Sequence, residues 1–316
     1  MGVNTIGVSV LARRPSEAVE QIQRLERLGV TAAWLTSGGG GGDVIALLAA
    51  AAAETESILL GSSIVQTWSR HPVALVQQVQ VIADLAPGRF RLGIGTGHRD
   101  PMTRTYGADF RAPLGHLKEY LRVASTLMKQ GAVEFEGRWY SANAGIPSPL
   151  DVPVMASALR PGAFEMCGAE TDGAISWVCP HIYLRDTAMP ALERGARLAD
   201  RATTPPMLVH AAVCVSEDLE GARDGVRQRL GYHPTSPFYA SMFAEAGFHG
   251  SPESGWTDEM LDAVLISGDE DAVTEGVRAI FDWGASELLA SVVPAGDDQG
   301  VSEERTLRLL GSLAKA

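Results

Sequence analysis

The stretch Gly88-Arg89-Phe90-Arg91-Leu92-Gly93-Ile94-Gly95-Thr96-Gly97-His98-Arg99-Asp100 decides the fold. Pro87-Gly88 marks a turn, and residues 90–94 form a short apolar run with the length and composition of a buried strand. The run carries closely spaced glycines and ends in a hydroxyl and an imidazole, Thr96 and His98. Glycine lets backbone N–H groups approach a ligand that a Cβ would hold off. A strand ending in bare backbone and protonatable side chains reads as one that ends in a binding site. The α/β folds place their sites there, at the carboxyl ends of the strands.

Outward from this strand the chain alternates between two periodicities. Strands are expected at 6–10, 32–35, 58–65, 90–94, 154–156, 173–177, 207–215 and 287–293. Between them, apolar residues repeat at helical spacing, with Ser16 and Asp43 as N-caps, Gly29 as a stop and Pro72 and Pro161 as helix starts. The segment 99–113 reads as a long connection, 135–140 as a hairpin on an insertion, and 232–265 as irregular, aromatic chain with at least one short helix. Eight strands alternating with helices predict an α/β fold, the parallel (β/α)8 TIM barrel, as one domain over 1–316 with insertions at about 131–150 and 232–265.

The composition sets bounds on function. At 316 residues and 46% hydrophobic, the chain can bury a large core. A formal charge of -12 argues against nucleic acid or an anionic membrane as a general partner. It leaves room for an anionic cofactor held by local arginines and backbone donors. Cys167, Cys179 and Cys214 are far apart and in no metal spacing, as expected of free thiols in a reducing cytosol. Cys179, before Pro180, is better read as a small buried hydrophobe than as a site residue. The start Met1-Gly2-Val3-Asn4-Thr5 has no basic leader, and the longest apolar run, 44–53, is half a membrane span. The expectation is a soluble, cytoplasmic protein.

The motifs narrow the chemistry. Gly93, Gly95 and Gly97 do not form a dinucleotide fingerprint, which opens directly into a helix. The glycines at 38–42 lack the Gly-Lys-Ser/Thr of a phosphate loop. There is no nucleophile elbow, no H-E-x-x-H and no metal-ligand spacing, so no metal is expected and the chemistry is assigned to a cofactor. His71, before Pro72, suits helix capping. Trp34, Trp68 and Trp177 lie at or beyond strand ends and together suit a flat aromatic ligand.

Several segments together resemble the bacterial luciferase-like superfamily. They are Leu60-Gly61-Ser62-Ser63-Ile64-Val65, Arg70-His71-Pro72-Val73-Ala74-Leu75-Val76-Gln77-Gln78, the 88–95 run, Asp172-Gly173-Ala174-Ile175, Ser267-Gly268-Asp269-Glu270-Asp271-Ala272-Val273 and Gly284-Ala285-Ser286-Glu287-Leu288-Leu289. Within it the chain is most similar to the branch using coenzyme F420, an 8-hydroxy-5-deazaflavin. Gly95-Thr96-Gly97-His98, Arg122 after Leu117-Lys118-Glu119-Tyr120, and Pro237-Phe238-Tyr239 with Met242 and Ala246-Gly247-Phe248 carry that likeness. Leu35-Thr36-Ser37-Gly38 stands where the family often has an Asp-His pair.

The resemblance implies an oxidoreductase moving a hydride between F420 and a small organic substrate. Its alternatives are a flavin mononucleotide (FMN) monooxygenase using oxygen, or a non-catalytic flavin-binding member. It implies a bulge with a cis Ser63–Ile64 peptide behind the cofactor ring. Gly95, Thr96 and Gly97 would approach the ring edge or phosphate, and Thr36 and Ser37 the pyrimidine edge. The turn Ser157-Ala158-Leu159-Arg160-Pro161-Gly162-Ala163 would hold the phosphate, which a helix start with free N–H groups and an arginine also favours physically. His98 is the candidate proton donor or polar anchor. Trp68, Trp177 and 232–256 would shape the substrate pocket, with Trp177 also against the cofactor. The expected assembly is a homodimer.

Overall fold

The computed structural model describes residues 5–11, 14–36, 42–250 and 255–315. The first half runs β1 (Thr5–Val10), α1 (Pro15–Leu28), β2 (Ala32–Leu35), α2 (Val44–Ala53), β3 (Leu59–Ser62), β4 (Val65–Gln66), α3 (Pro72–Leu85), β5 (Phe90–Gly95), α4 (Arg99–Tyr106) and α5 (Pro113–Gln130). A hairpin, β6 (Ala132–Glu136) and β7 (Ser141–Gly145), leads to β8 (Val154–Ser157), α6 (Pro161–Glu170), β9 (Gly173–Ile175) and α7 (His181–Tyr183). After a π-helical turn, Leu184–Ala188, come α8 (Met189–Leu198), β10 (Met207–Val215) and α9 (Leu219–Leu230). The rest is α10 (Pro237–Glu245), α11 (Asp258–Asp262), β11 (Leu265–Gly268), α12 (Glu270–Asp282), β12 (Glu287–Val292) and α13 (Gln299–Leu313).

Strands β1, β2, β3, β5, β8, β9, β10 and β12 pair in that order, all parallel, and β12 pairs back with β1. This is the expected (β/α)8 barrel. Helix starts follow local chemistry: Asp43 accepts from the N–H groups of Ile45 and Ala46, and His71 Nδ1 from that of Val73. Helix α1 starts one residue before the expected cap Ser16, with Pro15 in its first turn. Pro190 cannot donate along its helix, and the turn before it widens to π.

The barrel interior corrects one reading. Trp34 lies inside the barrel, fully buried, rather than at a ligand. A Cβ on Gly7 or Gly61 would stand 2.6 or 2.3 Å from its ring, so both glycines make room for the indole. Its Nε1 donates to Glu287 Oε1 at 2.8 Å, and the Arg91 guanidinium, which pairs with Glu287, covers its face at 4.7 Å. Trp34 packs with Ala32, Met155, Ile175, Leu208 and Leu289, and half-buried Ile64 and Trp177 pack against this cluster.

Three elements differ from the expected ones. The strand expected at 58–65 is two. Gly61 pairs with Arg91 and Val65 with Ile94, so four steps on one side match three on the other, a one-residue bulge. The Ser63–Ile64 peptide within it is cis, as expected. The connection at 99–113 begins with helix α4, directly after His98. Its polar composition hid it, because only Met102 of its residues is buried. Finally, 265–268 is a strand on β10, joined along Ala212–Val215 beyond the short β9 contact. Four residues ahead of a helix cap carried too little pattern to show.

Candidate functional site

The carboxyl ends of the strands form one mouth, and the three glycines of the deciding stretch do different jobs there. A Cβ on Gly93 would stand 2.0 Å from Ser62 O, so Gly93 lets the bulge pack. Ser62 Oγ accepts from Gly93 N–H and donates to Gly93 C=O, both at 2.9 Å, replacing ladder bonds that the bulge interrupts. A Cβ on Gly95 would meet Ser157 Oγ at 2.2 Å and Ile64 Cδ1 at 2.4 Å. Gly95 therefore admits those two side chains, rather than baring its backbone. Gly97, with φ +64°, takes the left-handed conformation that lets the chain turn into α4.

Hydroxyls line one side of the mouth. Thr36 Oγ1 lies 3.2 Å from Ser63 Oγ and 3.4 Å from Ser9 Oγ. Ser37 lies outside the described residues, as does most of the 38–42 glycine run. At the β8–α6 turn, Ala158 N–H donates to Ile175 O and Ala163 N–H to Arg160 O, each at 2.9 Å. These two amides are committed and Pro161 has none, which narrows the expected anion cradle to the amides of Leu159, Arg160 and Gly162. Open space surrounds the Cβ position of Gly162. Arg160 Nε donates to Glu245 Oε2 at 3.0 Å, tying α6 to α10.

Aromatic groups form the other walls. Trp68 Nε1 donates to Thr96 O at 2.8 Å, and its ring stacks on His116 at 3.6 Å. His116 Nε2 lies 2.8 Å from the Tyr140 hydroxyl, which donates to Thr67 O at 3.1 Å. The hairpin insertion, through Tyr140, thus braces the loop that carries Thr96. Opposite, Trp177 Nε1 donates to His233 Nε2 at 3.2 Å, and His233 Nδ1 faces Leu230 O at 2.9 Å. An indole N–H only donates and a carbonyl only accepts, so His233 is the neutral Nδ1–H tautomer.

His98 stands at the N-terminus of α4 against Tyr232, His233 and Tyr239, with ring centroids 4.9, 5.6 and 5.7 Å away. Burial holds its pKa below the ordinary imidazole value, and His233 is pushed down to about 4 for the same reason. Cys179 is fully buried with its thiol pushed up to about 12, in keeping with a packing role. The structure therefore brings Thr36, Ser63, Ile64, Gly95–His98, Ser157–Arg160, Gly162 and Trp177 to the same end of the barrel. Sequence reasoning missed His116, Tyr140, His210 and His233. Tyr140 lay in the noted hairpin and His233 in the noted 232–265 segment, but nothing local marks their partners. Among the described residues, no group of three or more His, Cys, Asp or Glu could hold a metal ion, and no helix is long and apolar enough to cross a membrane.

The family model described as luciferase-like monooxygenase matches residues 3–287. The 5,10-methylenetetrahydromethanopterin reductase of Methanolobus tindarius is 24% identical over 97% of this chain and 98% of its own length. The F420-dependent glucose-6-phosphate dehydrogenase of Mycobacterium avium is 25% identical over 87% of each. An F420-dependent secondary alcohol dehydrogenase, solved with an F420-acetone adduct, shares the fold with a TM-score of 0.83, at 17% identity over 98% of both chains.

Proposed function

The chain belongs to the luciferase-like monooxygenase family, and on that premise we propose that it is an oxidoreductase moving a hydride between coenzyme F420 and a small organic substrate. The observation that carries the reading is the mouth itself. Ile64 and Trp177 supply an apolar surface, the Thr36, Ser63 and Ser157 hydroxyls stand beside it, and the α6 turn adds amides and Arg160. This set fits a flat ring with a polar edge and a phosphate-bearing chain. The F420-dependent relatives support the deazaflavin over FMN.

When bound, the deazaflavin supplies hydride chemistry at the carbon that replaces the flavin N5. The chain's residues do the rest. The Arg160 guanidinium and the amides of Leu159, Arg160 and Gly162 hold the phosphate. Trp68, Trp177 and α10 keep water from the mouth and orient the substrate. His98 turns a ring N–H to a substrate oxygen as charge grows there, as a hydrogen bond from the neutral ring or as a proton given by its imidazolium form, which leaves the neutral ring behind. We further propose that the chain acts as one domain, forms a homodimer and works in the cytoplasm, where its three buried thiols stay reduced. Light scattering at twice the chain mass checks the dimer.

Titration with F420 and with FMN tests the cofactor. F420 should bind far more tightly, and Arg160→Ala or Gly162→Asp should weaken it. Tighter FMN binding, with no oxidation of reduced F420, overturns the reading. His98→Ala should lower turnover by about 10²–10⁴-fold with little change in cofactor affinity. His98→Gln keeps a donor that does not titrate, so near-complete activity in that variant would exclude proton transfer.

A further inference from the structure

Val178 is a β-branched residue at φ +52°, in the left-handed region that such residues rarely enter. It directly follows Trp177, and its N–H donates to His210 Nδ1 at 3.2 Å. His210 is fully buried in the middle of β10, and the proposed chemistry makes no use of it. An amide only donates, so Nδ1 is unprotonated and Nε2 carries the proton, donating to Ser291 Oγ at 2.9 Å. The His210 N–H is held by Ser176 Oγ at 3.1 Å, and its ring lies 4.0 Å from the Trp177 ring. The barrel strands β10 and β12 thus fix an imidazole behind Trp177, while Trp177 reaches forward to His233.

We infer that His210 is a positioning residue. It holds the left-handed turn at Val178, and that turn aims the Trp177 indole at His233, seating the wall on which His98 packs. Residues behind the mouth therefore set the shape of the pocket in front of it. What that pocket encloses rests on the functional reading above; the positioning itself is a property of the ligand-free chain and is tested there.

Fluorine NMR of protein labelled with 5-fluorotryptophan reads the indole, with Trp177→Phe assigning its line among the six tryptophans. His210→Leu removes the acceptor, so the Trp177 line should shift and the Val178 amide should exchange at least tenfold faster. His210→Asn offers an acceptor near the Nδ1 position and should keep the Val178 amide as slow to exchange as in the unaltered protein. Val178→Gly enters the left-handed region freely, so adding it to His210→Leu should return the line towards its original position. An unmoved line in His210→Leu, or no recovery in the double variant, overturns the inference. If His210→Leu does not fold, His210→Asn decides: tenfold faster exchange of the Val178 amide there overturns it. F420 should bind about tenfold more weakly to His210→Leu and unchanged to His210→Asn. Failure of F420 to bind the unaltered protein refutes the functional reading instead and leaves the fluorine result standing.

Discussion

Acidification from pH 7 to 5 should destabilise the fold steeply, through three buried histidines. In His210 the accepting nitrogen takes the Val178 N–H, and in His233 it takes the Trp177 indole N–H. In His116 the Tyr140 phenol proton is committed to Thr67 O, so Nε2 donates to the phenol and Nδ1 accepts from Thr67 Oγ1 at 3.2 Å. A second proton would set donor against donor at each site. Burial accordingly lowers His116 and His233 from 6.5 to about 4, and His210 to about 3. The sign follows from proton counting. Between 6.5 and the lowered value the unfolded chain binds more protons, so the stabilisation is whole above about 6.5 and is lost as pH falls towards 4. Each group contributes about 1.4 kcal/mol per pH unit, and three together about 4 kcal/mol per unit near pH 5. His98 and His181, also lowered by burial, act in the same sense. Against a net stability of about 5–15 kcal/mol this is decisive. Urea unfolding at pH 7, 6 and 5 measures the slope, and His116→Gln should reduce it by about one proton. A slope of one proton or less in the unaltered protein would refute the reasoning.

Ser62→Ala strands the Gly93 N–H and C=O inside the bulge and should cost about 2–4 kcal/mol; an unchanged urea midpoint would show that the ladder re-forms without the hydroxyl. Glu287→Leu leaves Arg91 unpaired in the barrel and should cost about 3–5 kcal/mol, whereas adding Arg91→Leu should recover part of that loss in the same assay. Gly93→Ala pushes a methyl into the Ser62 backbone and should lower the melting temperature. In contrast, Gly95→Ala meets side chains alone, Ser157 Oγ and Cβ and Ile64 Cδ1, so it should cost the fold less than Gly93→Ala and weaken F420 binding. Equal effects of the two alanines on thermal unfolding would contradict that division.

The sequence by itself determined the barrel and the end of it that carries the site. Period-two and period-3.6 patterns are local, as are caps such as Asp43 and stops such as Gly29, and local signals survive in one dimension. The bulge at Ser63–Ile64 came with the family resemblance, whereas α4, which buries only Met102, left no apolar period in the segment 99–113. Tertiary structure decided what lies between strands. Trp34 looked like a strand-end aromatic, but only the gaps at Gly7 and Gly61 place it inside the barrel. Gly95 promised bare backbone, but Ile64 and Ser157, from two other strands, fill the space it leaves. His210 and His233 carried no motif, because an imidazole acquires its role from partners: Val178 and Ser291 for the one, Trp177 and Leu230 for the other. Leu230 is local to His233, but Val178, Ser291 and Trp177 lie on separate elements that only the closed barrel brings within hydrogen-bond reach. Which nitrogen holds a proton is then settled by donors and acceptors remote along the chain, and no periodicity records them.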